Sequence, residues 1–109
     1  MTPIFFLAQR STAFVLALAV TVHLVTIIYA VRFGLTAGDI LGRTQGNRLF
    51  LVFYLVFVIA AAIHAPIGLR SVLREWLSWR GRSLDLTMLV FSAFLLFLGA
   101  RAALAVYVA

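Results

Sequence analysis

The sequence predicts an all-α membrane protein, an up-down-up bundle of three transmembrane helices. Of its 109 residues, 65% are hydrophobic and only 11% are charged, which is far too apolar for a soluble domain of this size. Three apolar runs, separated by two polar connectors, are each long enough to cross a hydrocarbon core about 30 Å thick. We expect the whole chain, residues 1–109, to form one domain with spans at about 4–33, 49–70 and 86–108.

The first span begins with the polar run Gln9 to Thr12 and ends near Arg32. It lacks a basic N-terminal region and its apolar run is too long for a cleaved signal, so we expect a retained helix. One face of this helix is small or polar apart from a single leucine, and such a stripe is typical of a helix contact or of a flat cofactor. The stripe consists of Thr12, Leu16, Ala19, His23, Thr26 and Ala30.

The second span repeats this design around His64. The connector before it, residues 34–48, is rich in glycine and predicts a loop with a short turn at 37–41. Pro66 removes a backbone donor and can bend the helix, and the bare backbone of Gly68 lets a flat group approach. Helical spacing continues past Leu69, so we expect this helix to extend beyond the membrane. Its small-residue face consists of Phe57, Ala60, Ala61, His64, Gly68 and Ser71.

The third span follows a connector, residues 70–85, that holds four arginines and two tryptophans. Tryptophan suits the headgroup level, and the arginine cluster favours a cytoplasmic N-terminus by the positive-inside rule. Arg101, late in this span, can snorkel outward or meet an internal anion. A weaker stripe comprises Ser92, Leu96, Gly99 and Ala103.

Charge and cysteine content narrow the possible partners. The net charge is +6, and every basic residue is an arginine, most of them at the edges of spans. This distribution favours lipid headgroups or anionic groups of a cofactor, and we expect no nucleic-acid partner. There is no cysteine, which excludes disulfides and thiolate metal sites on this chain.

The two histidines, His23 and His64, are the candidate metal ligands. Ionisable residues inside a membrane are costly and therefore suggest a function. Neutral imidazoles flanked by small residues and arginines suit the axial positions of a b-type haem that carries electrons. Zinc fits poorly and a proton relay lacks a partner, because no carboxylate lies within either span. The alternative is structural, with each histidine bonding a neighbouring helix.

Helix rise indicates that the two histidines lie at different depths. His64 is about 9 Å from Arg70, whereas His23 is about 20 Å from Arg10 on the same side of the membrane. The imidazoles therefore differ in depth by roughly 10 Å. We expect them to serve two different haems, each of which takes its second histidine from another subunit.

Two sequence patterns resemble the membrane-anchor subunits of succinate dehydrogenase and fumarate reductase. The run from Gln9 to Ala13 is similar to the family's Arg-x-(Ser/Thr)-(Gly/Ala) opening of the first helix. The run from His64 to Arg70, continuing to Glu75 and Trp76, resembles the family's His-x-x-x-Gly-(Ile/Leu/Met) segment, which leads to an acidic residue and an aromatic one. The two patterns cover about a third of the chain, and the architecture of three membrane spans matches that of the family over the whole chain.

The resemblance implies a subunit of the inner (cytoplasmic) membrane that binds haem b and helps to form a quinone site. A flavoprotein and an iron–sulfur subunit, which interconvert succinate and fumarate, would dock on it beside a second anchor subunit and so link the tricarboxylic acid cycle to the respiratory chain. No dicarboxylate chemistry would occur on this chain. The implied cofactor residues are His64, His23, Arg70, Gly68 and Arg10, and the implied quinone residues are Arg10, Ser11, Glu75 and Trp76.

The chain also departs from the family. Trp76 stands where members have tyrosine, so no phenolic hydrogen bond to quinone comes from this position, and Ala13 replaces a common glycine. His23 resembles the extra first-helix histidine of members with two haems. Two alternatives remain open, namely a cytochrome b subunit of another quinone-linked dehydrogenase and a structural membrane subunit without a cofactor.

Overall fold

Three long helices and one short helix make up the chain in the computed structural model, which describes residues 3–108. They are α1 (Pro3–Phe33), α2 (Ala37–Thr44), α3 (Arg48–Leu77) and α4 (Arg82–Val108). Three of them, α1, α3 and α4, are long and apolar enough to cross a membrane. The described residues contain no β-strand. The predicted fold class, an all-α bundle with three spans, is therefore confirmed.

The central helix is α3, which packs against α1 on one side and α4 on another, while α1 and α4 scarcely touch. Among the described residues, four of the nine buried ones are alanines, whose small side chains let the helices approach closely. Between α3 and α4, the Ser92 hydroxyl donates a 2.6 Å hydrogen bond to the Ala62 carbonyl. At Gly99 the two helices approach so closely that Val58 occupies the space a side chain would need.

The stripe predicted on α1 is the face that packs against α3. All six of its residues are buried or half-buried, with Thr12 and Ala19 the most buried. Phe14, Leu18 and Val25, which lie off the stripe, are exposed and suit contact with lipid. The face predicted on α3 is likewise buried or half-buried throughout. On α4, however, Leu96 is exposed, so that stripe is interrupted.

The first connector holds a true helix, α2, where the sequence predicted only a loop with a turn. Thr36 and Asp39 form a capping box at its start, and the hydrogen bond from the Thr36 side chain lowers the pKa of Asp39. The Thr44 hydroxyl donates to the Val106 carbonyl at 3.0 Å, and the Gly46 amide donates to the Tyr107 carbonyl at 2.9 Å. Thus the end of α2 and the turn that follows it satisfy backbone carbonyls at the end of α4.

The second connector is shorter than expected because both neighbouring helices extend into it. As the helical spacing predicted, α3 continues to Leu77, and α4 begins at Arg82. Only residues 78–81 link them, with Ser78 in the left-handed conformation at φ 54°. The indole of Trp79 donates a 2.8 Å hydrogen bond to the Ser83 hydroxyl across this turn.

Candidate functional site

His64 lies half-buried on α3, where that helix packs against α1. Its Nδ1 is 3.4 Å from the Thr12 hydroxyl, a long contact between a nitrogen and an oxygen. Thr12 is only 9% exposed, and its hydroxyl also donates to the Ala8 carbonyl at 2.8 Å. A buried polar side chain of α1 therefore holds the imidazole from one side.

One turn from His64, the side chain of Gln9 lies over Gly68. A Cβ atom added at Gly68 would lie 3.3 Å from Gln9 Nε2. The Gln9 Oε1 is buried and has no hydrogen-bond partner among the described residues. The space over Gly68 that the sequence suggested for a flat group thus holds this chain's own amide. A flat group at Gly68 requires Gln9 to turn aside, and an unpaired buried acceptor makes that movement easier.

His23 lies half-buried on α1, in a different environment. Its Nδ1 is 3.3 Å from the Tyr54 hydroxyl, and its ring meets the rings of Tyr54 and Phe57 edge-on at 5.7 Å in each case. A cavity of about 270 Å³ beside it is bordered by all three long helices, with Ala61 and Gly99 on its far sides. Phe57, the bulky member of the face predicted around His64, thus contacts His23.

The two histidines lie at separate depths, as the sequence predicted. Because His64 contacts Thr12 and His23 contacts Tyr54, the antiparallel helices fix both levels. Thr12 and His23 are eleven positions apart and Tyr54 and His64 are ten, which places the levels roughly 15 Å apart. Metal–imidazole bonds are about 2 Å long, so a single ion cannot bind both rings of this chain.

Arg70 pairs with an acidic residue that the sequence did not single out. Its Nε donates to Asp85 Oδ1 at 2.8 Å, joining α3 to the start of α4. The two side chains are 28% and 57% exposed, and they border a cavity of about 450 Å³ that is otherwise mostly apolar. Arg70 is six positions beyond His64, about 9 Å along the helix. The terminal nitrogens of its guanidinium have no partner among the described residues.

The polar run on α1 divides between two faces, because successive residues turn by about 100°. Gln9 and Thr12 face α3, whereas Arg10 and Ser11 are exposed. The Arg10 guanidinium lies 5.6 Å above the ring of Phe6 on its own helix. The structure therefore brings Gln9 and Thr12 to His64 but leaves Arg10 and Ser11 outside this interface.

Glu75 and Trp76 lie at the far end of α3, away from His64. Trp76 is 81% exposed and Glu75 is also exposed. Glu75 borders a cavity of about 240 Å³ together with Ser71, Arg74 and Arg80. This end of the chain is a polar, mainly basic surface rather than part of the histidine sites.

Four contacting groups, namely Gln9, Thr12, Tyr54 and Asp85, were not among the predicted site residues. Thr12 lies on the predicted α1 stripe, three turns before His23, and this spacing could have indicated a role. Tyr54 and Asp85 depend on how neighbouring helices align, which a single sequence does not specify. Within residues 3–108, no cluster of three or more His, Asp or Glu side chains is arranged to hold a metal ion. A haem that takes one imidazole from each of two chains needs no such cluster.

Comparison with protein-family models, with curated proteins and with solved structures finds no match to this chain.

Proposed function

We propose that this chain is a haem b-binding membrane anchor subunit of a succinate:quinone oxidoreductase, either a succinate dehydrogenase or a fumarate reductase. The observation that carries the proposal is the position of His64. This imidazole lies inside a membrane-spanning helix and is held at Nδ1 by a buried hydroxyl. It also opens the segment, ending at Arg70, that resembles the family's haem-binding motif.

At the level of His64, the imidazole of this residue would hold the iron of a haem as one of its protein ligands. When bound, haem b supplies one-electron transfer between an iron–sulfur subunit and membrane quinone. His64 would provide one ligand, and the second would come from the other anchor subunit, because His23 lies roughly 15 Å away in depth. To admit the haem, Gln9 would have to turn aside from Gly68, and the terminal nitrogens of Arg70 would be available to an anionic group of the cofactor.

His23 is proposed as the ligand of a second haem at its own level, again with a partner subunit's imidazole. The cavity of about 270 Å³ beside it supports this role, since it borders the imidazole and is otherwise lined mainly by apolar residues. One observation favours the structural alternative, however. Both His23 and His64 already have a hydroxyl partner within the chain, as histidines that only join helices would.

Quinone is proposed to bind at the N-terminal end of α1, between this chain and a partner. Arg10 and Ser11 are exposed there and face away from α3, so they are available to a molecule held at a subunit interface. The Arg10 guanidinium would stabilise negative charge that develops on a quinone carbonyl oxygen, and Ser11 would donate a hydrogen bond. Glu75 and Trp76 complete the polar surface on this side of the membrane.

The same side is proposed to dock the iron–sulfur and flavoprotein subunits. The end of α3 and the short turn to α4 carry Arg74, Arg80 and Arg82, and Trp76 is almost fully exposed beside them. Such basic and aromatic residues are typical of protein interfaces. By the positive-inside rule this side is the cytoplasmic one. Along the spans, exposed apolar side chains contact membrane lipid.

The test is the reduced-minus-oxidised optical spectrum of the purified membrane complex. We expect b-type haem bands in the wild type, and we expect His64→Ala and His23→Ala to remove different haems. Ile63→Ala and Leu24→Ala are matched controls, because each changes the exposed residue beside a histidine. A wild-type complex without b-type bands would refute the haem proposal. Loss of one and the same haem in both variants would refute the assignment to two levels.

A further inference from the structure

We infer that Thr12 is a positioning residue that fixes the tautomer of His64, so that Nδ1 carries the proton and Nε2 keeps the lone pair. The inference rests on the proposed function, because it concerns the imidazole proposed to bind haem iron. The inference gives a role to a residue of α1, outside the segment from His64 to Arg70. That residue controls how well the imidazole of His64 binds a metal ion.

The hydrogen of the Thr12 hydroxyl determines the direction of the contact. The Thr12 Oγ1 lies 2.8 Å from the Ala8 carbonyl oxygen and 3.2 Å from the Gln9 carbonyl oxygen. A hydroxyl has one hydrogen, and either carbonyl can only accept it. The oxygen of Thr12 therefore faces His64 as an acceptor, and the imidazole must donate from Nδ1. The neutral ring is left with its lone pair on Nε2.

His23 does not have a tautomer fixed in this way. Its partner, the Tyr54 hydroxyl, has no other hydrogen-bond partner among the described residues. Either the phenol or the imidazole can then be the donor, and both tautomers of His23 are compatible with the contact. Of the two histidines, His64 is the one whose hydroxyl partner already donates its hydrogen elsewhere, and this distinguishes it as the histidine set for a metal at Nε2.

The contact has a consequence for redox chemistry. A metal-bound imidazole that donates its other N–H becomes a more basic ligand, and a more basic ligand favours the ferric state over the ferrous state. Removing the acceptor should therefore raise the reduction potential of the haem on His64. The 3.4 Å contact is long, so we expect a modest change of about two- to tenfold in the relative stability of the two oxidation states. For a one-electron couple this corresponds to about 18 to 59 mV.

The experiment is a redox titration of the b-type haems in the intact membrane complex. Thr12→Val removes the hydroxyl and keeps the shape, and Thr12→Ser restores a hydroxyl. Thr21→Val is the matched control, because the exposed Thr21 also donates to the carbonyl four residues earlier at 2.8 Å but contacts no histidine. The haem to follow is the one that is lost in His64→Ala. We expect its reduction potential to rise in Thr12→Val, to return towards the wild-type value in Thr12→Ser, and to stay at the wild-type value in Thr21→Val.

Two results would overturn the inference while leaving the proposed function intact. One is a wild-type potential in Thr12→Val with haem still bound. The other is an equal shift, or equal loss of haem, in Thr12→Val and Thr12→Ser, which would show that packing rather than the hydroxyl matters. Loss of haem in Thr12→Val but not in Thr12→Ser or Thr21→Val would support it. A wild-type complex that contains no b-type haem would instead refute the proposed function.

Discussion

Replacing Gly99 by alanine tests the close approach of α3 and α4. A Cβ atom at this position would lie 2.5 Å and 2.7 Å from the two methyl groups of Val58 and 3.1 Å from its Cβ. Rotation of the side chain cannot remove the clash, because valine branches at Cβ and both methyl groups are too near. Overpacking of this kind costs typically 1–3 kcal/mol, and we place it at about 3 kcal/mol here.

Helix propensity partly offsets this cost. Exchanging glycine for alanine inside a helix gains about 1 kcal/mol, so we expect a net loss of about 2 kcal/mol in the free energy of unfolding. Gly42→Ala is the matched control, because Gly42 lies within α2 and nothing stands within 4 Å of its added Cβ. That change should be stabilising by up to about 1 kcal/mol. The difference between the two substitutions isolates the packing cost.

The assay is unfolding of the purified chain in mixed detergent micelles, followed by tryptophan fluorescence. Trp79 is a suitable reporter because it bonds Ser83 across the turn that joins α3 to α4. Val58→Ala should relieve the clash, so the double variant should recover about 0.5–3 kcal/mol relative to the sum of the single changes. Equal stabilities of the Gly99→Ala and Gly42→Ala proteins would refute the close approach.

Three smaller predictions concern polar contacts. Ser92→Ala removes the hydrogen bond to the Ala62 carbonyl and should cost about 0.6 kcal/mol, at most about 1.7, measured by the same unfolding assay. Asp85→Asn breaks the partly exposed ion pair with Arg70. It should lower the free energy of unfolding by no more than about 1 kcal/mol, and by less at high salt. A larger loss of stability would show that the pair is more deeply desolvated than its exposure indicates. The pKa of Asp39 is lowered on folding, so its cap contributes stability above its ordinary pKa of 3.8 and loses it as the pH falls through the lowered value. Hydrogen-exchange protection of α2 should therefore fall in that range. Thr36→Ala should weaken this pH dependence, because it removes the side-chain hydrogen bond that lowers the pKa most.

The long helices and their contact faces follow from the sequence because membrane spans need long apolar runs and small residues where helices meet. The stripe that contains Thr12 and His23 is indeed the side of α1 that packs on α3. The depth difference between the histidines was also predictable, since helix rise is constant, although roughly 15 Å exceeds the roughly 10 Å expected. The reference point was the reason. Placing Arg10 level with Arg70 would align Leu16 with His64, whereas the residue that contacts His64 is Thr12, four positions nearer the N-terminal end of α1.

Contacts between helices were harder to predict. The pairs Thr12–His64, Tyr54–His23 and Arg70–Asp85 depend on how one helix is rotated and shifted along its axis relative to another. The spacing of apolar residues does not determine that rotation or that shift to better than about one helical turn. The Gln9 amide over Gly68 has the same origin. Likewise α2 was missed because its eight residues are held by a capping box and by bonds to the end of α4, rather than by an apolar stripe.

Because α3 is the central helix, it forms two separate interfaces, one with α1 and one with α4. The contact between Thr12 and His64 lies in one interface of α3, and the contact between Gly99 and Val58 lies in the other. Substitutions with no shared partners usually add independently, so the packing of α3 on α4 and the contact between Thr12 and His64 can be changed separately. The outer helix α4 can be redesigned, for tighter packing or a new lipid environment, without altering the hydroxyl that faces His64.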